Sequence, residues 1–573
     1  MSTRRPLVVA AASLLVAACS DGSTAPSTSC NTTQAPVSLA PLQGATVRAA
    51  QFGRCLQLAV EGGANYLVVP QFAAEGPEGD PTPIDFVLGT ADAADPNALA
   101  SVSARSRPSV LGARGQLAGV PRGASAAERF HRMLRRQEAA LAASAPAERR
   151  ASALRAQISA AQPAPSRSFK VLSNLNGTEF ATITAQLKYV GSNIYVYVDD
   201  ESPTAFTDPN WQNFGQVFDN DLFPIDLNAF GSPSDIDANG HVIVLFTPVV
   251  NGLVDPVEDG CGSYVAGFFT GFDLVSTSAN SNRAEVFYAS VPDPTGSKGC
   301  PLPIAQVNLL TPATFIHELQ HMISYNEHVL TRNGREENVW LNEGLSLIAE
   351  ELGAKHYEEK YPAPLGRTRP DQLFPDSARG FIEFNLGYAY DWLTSTRDTS
   401  ITTFDDFGSL SERGAAWIFL RWLGDQKGEA IYRTLVQTNL RGIANVSAAA
   451  GESFPALFGD FSVALWTDSL PGVAREAIPQ RYRFTSRNFR EIYGQLSAQS
   501  PGGFPRIYPV DPTILDFGIP DSGSMPVGTM DFFVLSTTGE TSPVLLRFSR
   551  PDRTQLPNSA QAQVSIFRLP DSP

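Results

Sequence analysis

The chain has 573 residues, 43% of them apolar and 18% charged, which suits folded globular protein and is too long for a single core. Roughly two to four domains are expected. Its 43 Lys and Arg against 58 Asp and Glu leave a net charge of −15, which argues against nucleic acid as a partner, since phosphate binding needs basic patches.

The N-terminus, MSTRRPLVVAAASLLVAAC, sets Arg4 and Arg5 ahead of an apolar run from Pro6 to Ala18 that stops at Cys19. The run is too short to cross a bilayer and suits a secretory signal over residues 1–18. VAAC at its end resembles the lipobox of bacterial lipoproteins. That resemblance implies cleavage before Cys19, a lipid on Cys19 as membrane anchor, and, with Ser20 following, an outer-membrane place in the cell envelope. Plain secretion with cleavage after Ala18 is the other reading. Residues 19–36 are a Ser/Thr-rich tether. Four further cysteines, Cys30, Cys55, Cys261 and Cys300, suit disulfides in an exported chain. Three pairings are possible, and proximity favours Cys30–Cys55 and Cys261–Cys300; no CxxC pair suggests a zinc knuckle.

Residues 37–120 alternate apolar and polar in short runs broken by Gly and Pro, the pattern of a small β domain. Residues 121–167 are rich in Ala and Arg, with helical spacing at Phe130, Met133 and Leu141, and read as a helical linker or a propeptide. His131 there has no sequence partner and reads as a surface residue. An α+β domain follows over 168–495, with strands at NIYVYVDD and HVIVLFTPVV and helices beyond. MDFFVLSTTG and SPVLLRFSR return to alternation and predict a C-terminal β domain over 503–573.

Within the α+β domain, DIDANGH matches the opening of a calcium loop at Asp235, Asp237, Asn239 and Gly240. An EF-hand needs Glu at its twelfth position, where this chain has Phe246. A turn entering a strand and a calcium site both remain open.

Two of the six histidines sit four apart in TFIHELQHMISY, so on a helix His317 and His321 share one face with Glu318 beside them. HExxH should arise by chance here on the order of 0.003 times, so a metal site is the expectation. Thr311 and Pro312 read as the start of this helix. Phe315, Ile316, Leu319, Met322 and Ile323 predict that it is buried. Zinc takes about four ligands, of which one may be water, so one protein ligand is missing. Downstream, ENVWLNEGLSLIAEEL has helical spacing at Leu341, Leu345, Ile348 and Leu352, and Gly344 allows close backbone approach.

HELQHMI together with WLNEGLS resembles the gluzincin zinc metallopeptidases, most of all the hyicolysin-type neutral metallopeptidases, over about residues 170–470. The same two motifs are shared with the thermolysin-like and aminopeptidase branches. The resemblance implies a zincin-like fold flanked by the β domains, with Glu343, 22 residues past His321, as third zinc ligand. It also implies Glu318 as general base on a zinc-activated water, acting on peptide or protein substrates. Leu347 departs from the thermolysin pattern, which has a carboxylate four residues after the ligand; Glu350 is the candidate to orient a histidine instead. For the oxyanion donor the candidates are Tyr388, first, and Tyr390, with His328 and His356 behind them. The amine-anchoring GxMEN motif of the aminopeptidases is absent, which favours an endopeptidase. The alternatives are an aminopeptidase of the same clan, a catalytically silent surface binding protein, and a metalloenzyme acting on a non-peptide bond.

Overall fold

The structure, a computed structural model, describes residues 35–570 apart from 50–54, 60–62, 93–104, 107–124, 145–162, 275–278, 362–375, 406–407, 538 and 541. The signal segment, Cys19 and Cys30 lie outside the described residues.

Five strands come first: β1 (Gly44–Arg48), β2 (Leu56–Leu58), β3 (Asn65–Phe72), β4 (Ile84–Asp92) and β5 (Arg105–Ser106). Helix α1 (Ala126–Ser144) follows. The central sheet is built from β6 (Ser166–Leu172), β7 (Phe180–Val190), β8 (Ile194–Asp199), β9 (Val242–Phe246), β10 (Gly267–Phe269) and β11 (Val286–Ala289). Their order is β10-β11-β9-β8-β7-β6. β8, β9 and β11 run parallel, whereas β10, β7 and β6 pair antiparallel. VIVLF in β9 and VFYA in β11 are buried at every position, as strands covered on both faces must be. Phe246 thus ends a core strand and takes no part in a calcium loop.

One face of this sheet is covered by α1. Phe130 and Leu134 are fully buried there, and the Phe130 ring meets Phe268 edge-on at 5.0 Å. On the other face lies α2 (Ile304–Tyr325), whose Phe315 meets Phe287 of β11 at 5.6 Å. The sequence places the start of α2 at Thr311 and Pro312; the helix in fact begins at Ile304 and holds Pro312 in its interior. A proline there forfeits one backbone hydrogen bond at a cost of about 3 kcal/mol. Burial of Val307 on the added turns and of the apolar face beyond Pro312 offsets it.

Three long helices stack behind α2: α3 (Val339–Lys360), α4 (Asp376–Leu393) and α5 (Leu410–Lys427). Two glycines set their spacing. A Cβ on Gly344 would stand 2.8 Å from Leu420 Cδ1 and 3.0 Å from Ala416 Cβ, so α3 and α5 touch nearly backbone to side-chain root. A Cβ on Gly414 would stand 2.3 Å from the Tyr388 carbonyl carbon, which lets α5 press directly on the backbone of α4. Ser409 and Glu412 cap α5 reciprocally. Helix α6 (Phe454–Thr467) closes the helical layer.

The last strands are β12 (Thr513–Ile514), β13 (Asp521–Met525), β14 (Thr529–Met530), β15 (Phe533–Ser536), β16 (Val544–Ser549) and β17 (Ala562–Arg568). Here the structure differs from the two β domains expected at 37–120 and 503–573. One sheet runs β1-β17-β3-β15-β12 with β14 also on β3, and the other runs β2-β16-β4-β13-β5. Every one of these ladders except β12–β15 joins a strand from one end of the chain to a strand from the other. The two segments form one sandwich around a shared core that includes Phe72, Phe86 and Phe548. Alternation shows that a strand has one core-facing side but not which strand supplies its hydrogen bonds, so sequence cannot separate one sandwich from two. Helix α6 lies on the sandwich, with Ser462 Oγ accepting from Gln71 Nε2 at 3.0 Å. Among the described residues, no helix is long and apolar enough to cross a membrane.

Cys261 and Cys300 are bridged, with Cα atoms 5.4 Å apart. Cys55 is disulfide-bonded as well; Cys30, the partner expected for it, lies outside the described residues. The Cys261–Cys300 bridge ties the segment before β10 to the segment entering α2. It closes a loop of sequence separation 39, and chain entropy predicts that its loss destabilises the domain by about 4 kcal/mol. The Cys261→Ser/Cys300→Ser variant should therefore melt several degrees lower in calorimetry while remaining folded at room temperature. An unchanged melting temperature would contradict this.

Candidate metal centre

Helix α2 carries His317, Glu318 and His321 into one floor, and α3 crosses above with Glu343. All four are nearly dry, exposed by 8%, 1%, 2% and 1%. The Nε2 atoms of His317 and His321 face each other at 3.2 Å. Glu343 Oε2 is 3.7 Å from His317 Nε2, and Oε1 is 3.7 Å from His321 Nε2. Donors around a tetrahedral ion with bonds of ~2.05 Å stand about 3.3 Å apart, so the three groups match such a shell closely. The contacts of His317 agree with this. His317 Nδ1 lies 2.7 Å from Glu350 Oε1, while Ser346 Oγ, which donates to Gln320 Oε1 at 2.6 Å, stands 3.2 Å from both ring nitrogens of His321. With its Nδ1 proton engaged by Glu350, His317 turns its Nε2 lone pair toward Glu343, and the Nε2 of His321 faces the same carboxylate. Burial first, then nearby arginines, holds both imidazoles well below their ordinary pKa, so they are neutral as ligands must be. His317, His321 and Glu343 could hold a metal ion.

Glu350 thus stands where the sequence placed it, beside a histidine of the pair. Glu343 is also met by Arg413 of α5, whose Nη1 is 3.0 Å from Oε2. No local pattern flags Arg413, because its role depends on how α5 packs.

Glu318 is held from the other side. The backbone N–H of Phe269 in β10 donates to its Oε2 at 3.0 Å. Burial pushes its carboxyl up to about 8, against the pull of Arg135. Arg135 Nη2 is 3.8 Å from Glu318 Oε2, and Arg135 Nη1 is 2.8 Å from Glu138 Oε2. His131 Nδ1 is 3.7 Å from Glu318 Oε1 and its ring faces the cleft. It is kept neutral by burial and by Arg413 and Arg135, with its pKa lowered to about 3. Helix α1, expected as a linker or propeptide, is therefore a wall of the site, and His131 is not a surface residue. A signal was present: His131, Arg135 and Glu138 recur at helical spacing beside the apolar positions Phe130 and Leu134.

The cleft above these groups holds about 350 Å³ and is lined by, among others, His131, Tyr264, Glu318, Tyr388 and Arg413. Tyr388 faces it, half-buried, with its hydroxyl pKa pushed up by burial. Tyr390 does not; its hydroxyl accepts from the Arg506 N–H at 2.7 Å inside an aromatic core with Tyr493 and Phe504. His328 is wholly buried near Glu337, and His356 pairs with Asp221 at 3.5 Å, both away from the cleft. Ala266 and Gly267, where edge strand β10 begins, border the cleft, whereas β11 lies inside the sheet.

A buried histidine pair, a carboxylate from the next helix and a second carboxylate beside them define a candidate metal centre. Over 229 residues the chain is 33% identical to the Neutral metalloprotease ShpI of Staphylococcus hyicus. The match covers 39% of this chain and 49% of that protein, so the chain spans about half the length of the curated relative it matches. No family profile matches the chain.

The Arg135 network gives a test of its own. Arg135→Met should destabilise the protein by about 3–5 kcal/mol, because it strands buried Glu138 and Glu318 without a counter-charge. Arg379→Ala, which removes an exposed pair with Glu383, should cost under about 0.5 kcal/mol. Denaturant titration of the two variants checks the contrast; equal losses would show that α1 does not carry the network.

Proposed function

We propose that this chain is a zinc-dependent peptidase of gluzincin type, acting as an endopeptidase, with His317, His321 and Glu343 as the zinc ligands. The observation that carries the reading is the triangle of His317 Nε2, His321 Nε2 and Glu343 at 3.2–3.7 Å with Glu318 alongside. The likeness to a named neutral metalloprotease supports it. A zinc ion held there would supply Lewis acidity, lowering the pKa of water toward ~7 and polarising a peptide carbonyl.

The chain's own residues do the rest. Glu318 takes the proton of the attacking water and delivers it to the departing amine. The Phe269 N–H and Arg135 fix its orientation and favour the carboxylate form. Tyr388 is the donor for the oxyanion of the tetrahedral intermediate, and neutral His131 is the alternative donor from the facing wall. The outer edge of β10, at the end of the sheet and bordering the cleft at Gly267, offers backbone groups to an extended peptide. The absence of an amine-anchoring motif favours cleavage within chains over removal of terminal residues.

A set of three variants tests the assignment. Glu318→Gln should keep one zinc and lose peptide hydrolysis by several orders of magnitude, since Gln cannot accept the proton. Glu343→Ala should lose zinc and activity together. Tyr388→Phe should lower kcat by about 10²-fold or more with KM little changed. Near-normal turnover in Glu318→Gln, measured on a quenched peptide with zinc quantified by mass spectrometry, would overturn the mechanism; loss of turnover in His131→Ala but not Tyr388→Phe would move the donor to α1.

We also propose that the protein is exported and held at the cell envelope by lipid on Cys19. The Cys261–Cys300 bridge supports an oxidising compartment. Cys19→Ala should shift the protein out of the membrane fraction, and an unchanged fractionation would refute the anchor.

A further inference from the structure

The loop that resembles the opening of a calcium site does not continue as an EF-hand, yet the fold supplies what its sequence lacks. Glu285, fifty residues after Asp235, stands at the start of β11 and reaches under the loop. Its Oε1 accepts from Ser234 Oγ at 2.5 Å and from the Ile236 N–H at 3.0 Å. Its Oε2 is buried with no hydrogen-bond partner, on a residue with no exposed surface. Asp235, Asp237 and Glu285 each offer an oxygen, and these oxygens lie within 4.8 Å of one another.

We propose that Asp235, Asp237 and Glu285 form a calcium site that fastens the loop before β9 to the start of β11. An orphaned buried carboxylate oxygen costs about 1–3 kcal/mol, and the charge bearing most directly on Glu285 is another acid, Asp237. Burial pushes the Glu285 carboxyl up to about 7, as expected of an acid lacking a counter-charge. The donors are all oxygen, which suits a hard cation, and a shell with Ca–O bonds of about 2.3–2.6 Å spans the observed separation. The outer side is open to water, so solvent and loop carbonyls can complete the shell. One competing cation is present: Arg167 Nη1 lies 3.9 Å from Asp237 Oδ2, while its Nη2 is engaged by the Asn282 carbonyl at 2.9 Å. The loop geometry is preset, with Asp235 Oδ1 accepting the Gly240 N–H at 3.1 Å and Gly240 at a φ of 70°. Calcium would thereby brace β9 against β11, a strand on which α2 packs, without touching the zinc ligands.

The test uses the full chain loaded with zinc and stripped of other cations. Terbium titration reads the site through emission sensitised by Tyr195, which lies close enough to Asp237 to feel its charge. One saturable, calcium-displaceable terbium site is expected, with calcium raising the melting temperature. Glu285→Gln and Asp237→Asn should each weaken calcium by at least about tenfold, since ligand charge sets affinity, with zinc content unchanged. Glu285→Gln keeps the acceptor for Ser234 and Ile236, and if it fails to fold, Asp235→Asn on the exposed side serves in its place. No calcium-displaceable terbium in the wild type, or wild-type affinity in the variants, would overturn the site and leave Arg167 as the neutralising group.

Discussion

Two carboxylates, Glu318 and Glu343, are buried side by side at the bottom of one cleft, and the surrounding structure answers that cost. An ionised carboxylate removed from water is tolerated only with counter-charge and hydrogen bonds. Arg135 arrives from upstream on α1, Arg413 from downstream on α5, and a backbone N–H from the edge strand β10. The same burial keeps His317 and His321 neutral, which frees their lone pairs for a cation that would complete the compensation. Electrostatics thus requires three distant segments to converge on two adjacent side chains.

Helix packing makes that convergence possible. Gly344 and Gly414 let α3, α4 and α5 approach until backbone meets backbone, so Glu343, Tyr388 and Arg413 are placed by rigid helices and not by mobile loops. Beneath them Glu138 accepts the Gly271 N–H and pairs with Arg135, and burial raises its pKa and that of Glu336. The base of the site is therefore a connected polar network whose members depend on one another. A change in any of them should be felt at Glu318 before it is felt elsewhere.

The sandwich imposes a different constraint. Its N-terminal strands find partners almost only in strands from the other end of the chain, as in the 2.7 Å contact between Thr46 and Ser565 hydroxyls. Such pairing is slow to nucleate because it closes a loop of nearly the whole chain before its contacts can form. The helical layer meets this sandwich through α6, with Ser462 accepting from Gln71 and Gly459 admitting Thr46.

The sequence alone determined what depends on short spacing. HELQH puts two imidazoles on one helical face, WLNEGLS marks a second buried helix with an acid on it, and Glu350 falls one turn pair beyond as the partner of His317. The proximity of Cys261 and Cys300 was legible in the same way. Tertiary structure alone decided the rest. His131 and Arg135 reach Glu318 across more than 180 residues, Glu285 joins Asp235 across fifty, and β17 pairs with β1 across the entire chain. Local periodicity fixes which side of an element is buried, but the partner on that side is chosen by packing and counter-charge between segments distant in sequence, and these leave no periodic trace.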